Sequence, residues 1–148
     1  MAGPRPPAGH RIRIIFRATA TGLAVVALAQ TFIAGSFLNG HYPMLRAHLT
    51  AAMVMVGLAV VQAVVGVLLA RTGQAPRWIT RASIALPVAV AGQGVLGMNR
   101  VLGLHVPLGV LVVASSVVLA VWSWRPRPST RTTVDQPAEA TRPVGVRL

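Results

Sequence analysis

The chain contains no cysteine and no lysine, and its only acidic residues are Asp135 and Glu139. Without cysteine, disulfides, thiolate metal ligands and thiol redox chemistry are excluded. Because no acidic residue precedes position 135, the long apolar stretches also lack the intramembrane carboxylate that small proton-coupled transporters generally need. These absences disfavour a drug or ion transporter.

Apolar residues dominate what is present: 54% of the 148 residues are hydrophobic, more than a soluble domain of this length normally carries. Four windows, 18–38, 47–70, 78–98 and 104–124, are close to the ~20 residues that span a bilayer core. The third is the weakest, since Arg81 must reach the interface and Pro87 lies mid-span. The pattern predicts an all-α integral membrane four-helix bundle over 14–124, with a disordered N-terminus (1–13) and tail (125–148).

The arginines predict the orientation of this bundle. Twelve of the fourteen lie before the first span, around the second loop or after the last span, and only Arg46 and Arg100 lie on the other side. The positive-inside rule therefore predicts that both termini are cytoplasmic.

The use of arginine without lysine, with much Ala, Gly, Pro and Val, indicates GC-rich codons and a multi-pass protein of a bacterial plasma (inner) membrane. The net charge of +12 then reflects the membrane topology. We expect the lipid bilayer to be the partner of the chain, and we expect no nucleic-acid binding.

Two histidines, His48 and His105, are the only ionisable groups in the second and fourth apolar runs. An ionisable side chain inside a membrane helix needs a partner or a function. On a helical wheel, small and polar residues share the face of His48: Ala52, Met55, Ala59, Gln62 and Gly66. Since small faces pack against protein in membranes, His48 is predicted to point into the bundle.

The fourth run repeats this arrangement. The face of His105 contains Gly109, Val112, Ser116 and Leu119. Gln30 precedes His48 as Gln93 precedes His105, although the spacings differ. We interpret this as a two-helix pseudo-repeat, with helices one and two related to helices three and four.

The two imidazoles are predicted to lie at similar depth and to face each other inside the bundle, where facing helices commonly hold cofactors. A b-type haem would use His48 and His105 as axial ligands, and Ala52 and Gly109, one turn below, would provide wall space. The outward cations Arg46 and Arg100 would neutralise its propionates. Gln30 and Gln93 complete the candidate cofactor-binding residues, although both are most simply hydrogen-bonding groups between helices.

Gln93-Gly94-Val95-Leu96-Gly97, followed by a short loop and a helix that opens with His105, resembles the Q-x-x-L-G motif and following histidine of the haem A synthase family. Over about 21–124 the chain is similar to one half of that family's two tandem four-helix bundles. The resemblance implies that His48 and His105 are paired haem ligands. The family's acidic residue and second bundle have no counterpart here, so synthase activity is not expected. The chain also resembles small bacterial four-helix membrane proteins with the same Gln and His pattern.

Two other functions remain open from the sequence. The first is a cofactor-free structural or accessory subunit, in which the glutamines and small residues hold the helices together. The second is a copper or zinc site at the outer face, built from His41, His48 and His105 with Met44 or Met98. A haem protein for electron transfer or haem handling would take a redox partner, and any of these proteins could form a homo-oligomer.

Overall fold

The computed structural model describes residues 8–126, which form four α-helices: α1 (Ala8–Leu38), α2 (Met44–Arg71), α3 (Arg77–Met98) and α4 (Leu102–Trp124). No strand occurs in this range. All four helices are long and apolar enough to cross a membrane, as expected of a multi-pass membrane protein. The predicted all-α fold, with four helices long and apolar enough to span a membrane, is confirmed. Residues 1–7 and 127–148, and with them most of the predicted tail, lie outside the described residues.

The helices are arranged as a square. Each packs against its two neighbours, α1 against α2 and α4, and α3 against α2 and α4, while the pairs α1/α3 and α2/α4 lie on the diagonals. The short connections 39–43, 72–76 and 99–101 make consecutive helices antiparallel. We call the end with loops 39–43 and 99–101 the histidine end. The opposite end, which contains residues 8–17, loop 72–76 and residues 122–126, is called the terminal end.

Helix α1 begins at Ala8, within the stretch that was predicted to be disordered up to residue 13. Tertiary contacts explain the difference. Ile12 packs against the apolar core, and Nη2 of Arg13 donates a hydrogen bond to the backbone oxygen of Arg125, 3.0 Å away. The sequence of this stretch has no apolar period of its own, so these contacts could not be read from it.

The predicted inward faces are confirmed. Met55, Ala59, Gln62 and Gly66 of α2 are buried, as are Val112, Ser116 and Leu119 of α4. Large apolar side chains cover the outside of the bundle instead; Phe32 is 77% exposed and Val88 72%. Lipid accommodates such a surface, because acyl chains are as apolar as the side chains.

A layer of buried polar side chains crosses the half of the bundle nearer the terminal end. Gln62, Ser83 and Ser116 are fully buried, and the hydroxyl of Thr19 donates to Oε1 of Gln62. Gly66 lets α2 approach α3 at this level: a Cβ atom built there would stand 2.8 Å from both Cβ and Oγ of Ser83. The approach of the two helices therefore depends on the missing side chain.

Gly66→Ala should lower the free energy of unfolding by about 1–2 kcal/mol, because relieving the clash with Ser83 Cβ must move the backbone of α2 or α3. The loss should appear even though alanine favours a helix by about 1 kcal/mol over glycine. Gly57→Ala is the matched control, because a Cβ at Gly57 of the same helix meets nothing within 4 Å. Unfolding in mixed micelles measures both; equal stability of the two variants would contradict the close approach.

Candidate functional site: the histidine pair

The rings of His48 and His105 meet inside the histidine end of the bundle. They come from the diagonal helices α2 and α4, and both residues are half-buried. The ring centroids are 6.4 Å apart and the ring planes are inclined by 58°. The prediction that helices α2 and α4 bring the two imidazoles to the same level is confirmed.

This separation is close to that of two imidazoles bound to one metal. Metal–nitrogen bonds of about 2 Å, plus roughly 1 Å from each nitrogen to its ring centre, place the two centroids about 6 Å apart. The observed 6.4 Å differs little from this value. The centroid separation of the pair is therefore compatible with two imidazoles on a single metal.

His105 is held by the neighbouring helix α3. Its Nδ1 lies 2.9 Å from the backbone oxygen of Gln93. Because a carbonyl oxygen can only accept, Nδ1 carries a proton, and in the neutral ring the lone pair is then on Nε2. Metal-bound histidines typically have this arrangement, in which a hydrogen bond from one ring nitrogen fixes the tautomer and the direction of the other.

Gly97 permits this contact. A Cβ atom built at position 97 would stand 3.0 Å from Cε1 and 3.2 Å from Nδ1 of the His105 ring. The ring thus packs directly against the α3 backbone. In the sequence Gly97 stands out only as the last residue of the motif that begins at Gln93. Its position four residues after Gln93, on the same helix face, is the signal that could have identified it.

His48 is held by its backbone rather than by its ring. Nε2 of Gln30 on α1 donates to the His48 carbonyl over 3.1 Å. The ring nitrogen Nδ1 is buried and has no hydrogen-bond partner among the described residues. Buried polar atoms are normally paired, so this nitrogen is an exception that a metal or another ligand would resolve.

The two glutamines add further unpaired atoms to this layer. The Oε1 atoms of Gln30 and Gln93 are both buried without a hydrogen-bond partner in the described range. Nε2 of Gln93 lies 2.6 Å from the point where a Cβ atom of residue 109 would stand. The space beside Gly109, predicted as a wall for a macrocycle, is therefore occupied by the Gln93 amide.

The other predicted site residues lie around the pair. Ala52 is half-buried one turn below His48, and Arg46 is exposed at the histidine end. Arg100 is also exposed and has a left-handed backbone, with φ of 58°. Both arginines therefore reach solvent or lipid headgroups rather than the bundle interior.

A closed metal site of several protein ligands is not formed within residues 8–126. No group of three or more His, Cys, Asp or Glu side chains in this range could hold a metal ion, so His41 does not join the pair. A structural zinc site normally has four protein ligands. Two imidazoles alone are better suited to the two axial positions of a metal whose other ligands come from elsewhere.

No family model matches this chain, and no significant match is found among curated proteins or solved structures. The resemblance to haem A synthase therefore depends on the Gln and His pattern alone. Any function must be argued from the geometry of the histidine pair.

Gly97→Val should displace the His105 ring and break its hydrogen bond to the Gln93 carbonyl. The added side chain would occupy the ring's place, at a cost of about 1 kcal/mol for the lost bond alone. Gly94→Val is the control, since a Cβ at this position of α3 meets nothing within 4 Å. ¹⁵N-histidine NMR in micelles should show the Nδ1–H tautomer of His105 lost in the first variant and kept in the second. An unchanged His105 signal in Gly97→Val would refute this packing.

Proposed function

We propose that this chain is a bacterial inner-membrane protein that binds one haem b through His48 and His105 and serves in electron transfer or haem handling. The observation that carries the proposal is the pair itself: two rings from diagonal helices with centroids 6.4 Å apart. Both rings would ligate the haem iron, and the porphyrin would supply the ligands that the protein lacks in the described range.

The donor atoms fit this role. The Gln93 carbonyl holds the Nδ1–H of His105, so the Nε2 lone pair is available to a metal. His48 contributes a ring whose Nδ1 has no protein partner. A haem ligated by both rings would supply a one-electron couple at an iron without an open position, which favours electron transfer over oxygen chemistry.

Charge at the histidine end also supports the proposal. Arg46 and Arg100 are exposed there, and no acidic residue occurs in the described part of the chain to pair with them. Haem propionates are anions that remain near water. The two arginines would hold them as exposed partners, which contribute modestly after screening.

A two-helix pseudo-repeat, as proposed from the sequence, would give a reason for two similar half-sites. In each helix pair a glutamine on the first helix lies beside the histidine on the second: Gln30 donates to the backbone of His48, and the backbone of Gln93 accepts from the ring of His105. We infer that the two halves descend from one ancestral helix pair. That pair would have carried a single histidine ligand. The resemblance to half of a haem A synthase supports the same arrangement.

A cofactor-free structural role is the second candidate, and one observation favours it. The bonds from Gln30 and His105 already tie α1 to α2 and α3 to α4. In this role the His105 imidazole would serve only to join α3 to α4. The visible spectrum of the protein separates the two functions.

Protein purified in mild detergent from haem-replete cells should show a low-spin b-type spectrum with a sharp Soret band. His48→Ala and His105→Ala should each abolish it, because loss of an axial ligand leaves the iron five-coordinate or unbound. His41→Ala is the control, since this histidine is exposed in loop 39–43 and outside the pair. A colourless protein with stoichiometric copper or zinc would indicate a metal site instead. A colourless protein without metal would refute the proposal and favour the structural role.

The proposed orientation, with both termini in the cytoplasm, is motivated by the twelve-to-two distribution of arginines. A reporter enzyme active only in the periplasm should give activity when inserted in loop 39–43 and none when fused after Arg125. A reporter active only in the cytoplasm should give the opposite pattern. If both patterns are reversed, the histidine end faces the cytoplasm.

A further inference from the structure

The two histidines of the pair are held unequally. The ring of His105 donates from Nδ1 to the backbone oxygen of Gln93 over 2.9 Å. The same ring packs on the α3 backbone at Gly97, where a Cβ atom would stand 3.0 Å from Cε1. Nδ1 of His48 is buried and has no hydrogen-bond partner among the described residues. Only the His105 ring is therefore fixed by a hydrogen bond to the neighbouring helix.

The backbone of His48, in contrast to its ring, is fixed. Nε2 of Gln30 donates to the His48 carbonyl over 3.1 Å, which ties this turn of α2 to α1. With the backbone held, the ring can still rotate about the side-chain torsions. The two centroids must close from 6.4 Å to about 6 Å if the rings share one iron. Because turning His105 would break its bond to Gln93, His48 is the ring that adjusts.

A hydrogen bond from the non-ligating ring nitrogen strengthens a histidine ligand. The bond orients the imidazole and makes the other nitrogen more basic, and its loss typically lowers metal affinity about 10- to 100-fold. His105 has this support from the Gln93 carbonyl, and Nδ1 of His48 has no such partner in the described range. The bond from His48 to a shared iron would therefore be the weaker of the two.

We propose that His105 is the anchoring ligand of the site and His48 the exchangeable one. This inference rests on the proposed haem function and states how the site loads and releases. The bond from His105 forms first and breaks last, whereas the bond from His48 opens when haem or a small iron ligand enters or leaves. The electron pair of the opened bond stays on the His48 nitrogen, so the exchange needs no outside electron or proton. An unequal pair of this kind favours haem handling over electron transfer alone.

The haem-free protein tests the inequality of the two rings. ¹⁵N-histidine NMR in micelles should show the His105 ring as one slowly moving Nδ1–H tautomer. The His48 ring should exchange between tautomers and move faster. The chain has four histidines, and replacing each by glutamine in turn assigns the signals. Equal order in the two rings would overturn the proposal, and this measurement depends on no bound haem.

Haem loss to excess apomyoglobin measures the strength of each ligand in the loaded full chain. His105→Ala should lose haem at least about tenfold faster than His48→Ala, the lower end of the effect of a missing hydrogen bond on a histidine ligand. Equal rates in the two variants would overturn the proposal while leaving haem binding intact. A wild-type chain that takes up no haem would instead refute the proposed function and this inference with it.

A pair of glycine variants leaves both histidines in place. Gly97→Val removes the support of His105 and should speed haem loss about 10- to 100-fold. Gly94→Val is the matched control and should lose haem at the wild-type rate, because a Cβ at this position meets nothing within 4 Å. Equal rates in the two glycine variants would contradict an anchoring role of His105.

The unaltered chain identifies the exchangeable ligand. Cyanide added to the ferric wild-type protein should free the His48 ring and leave the His105 ring bound to iron, as seen in the ¹⁵N-histidine spectrum. This result would hold even if the histidine variants failed to fold. Release of the His105 ring, or of both rings equally, would overturn the proposal.

Discussion

The structure depends on one constraint: polar side chains inside a bundle surrounded by lipid must find their partners within the protein. In this chain glycine gives polar side chains room inside the bundle at three places. Gly66 faces Ser83, Gly97 faces the ring of His105, and Gly109 faces the amide of Gln93. Each glycine removes the side chain that would otherwise occupy the space of a polar group on the adjacent helix. The packing of each polar group inside the bundle therefore depends on the glycine that it faces.

The two polar layers of the bundle solve this constraint differently. Near the terminal end, Nε2 of Gln62 and Oγ of Ser83 are buried without a hydrogen-bond partner in the described range. Amides and hydroxyls of this kind are commonly bridged by a buried water. At the histidine end, the unpaired Nδ1 of His48 belongs to a ring whose centroid lies 6.4 Å from that of His105. Only the second layer has the donor atoms of a metal ligand set.

Periodicity was sufficient to predict much of this arrangement. The inward faces of α2 and α4 follow from the 3.6-residue repeat, because small and polar residues avoid lipid wherever protein is available. The meeting of His48 and His105 follows from their equal positions on those faces. Periodicity could not decide whether α2 and α4 are adjacent or diagonal, since that depends on how all four helices close into a square.

The details that sequence could not provide all depend on contacts between helices. The start of α1 at Ala8 requires the bond from Arg13 to Arg125, more than a hundred residues away in the chain. The filling of the Gly109 space requires a particular conformation of Gln93 on the neighbouring helix. A repeat pattern in the sequence encodes neither how far the Arg13 side chain reaches nor which rotamer Gln93 adopts.

The position of the histidine pair determines from which side a partner could reach it. His105 is the fourth residue of α4 and His48 the fifth of α2, so both rings lie within about two turns of loops 39–43 and 99–101. The terminal end is separated from them by the Gln62 layer and by the core below it. If the pair holds a haem, electrons or haem must enter and leave through the histidine end.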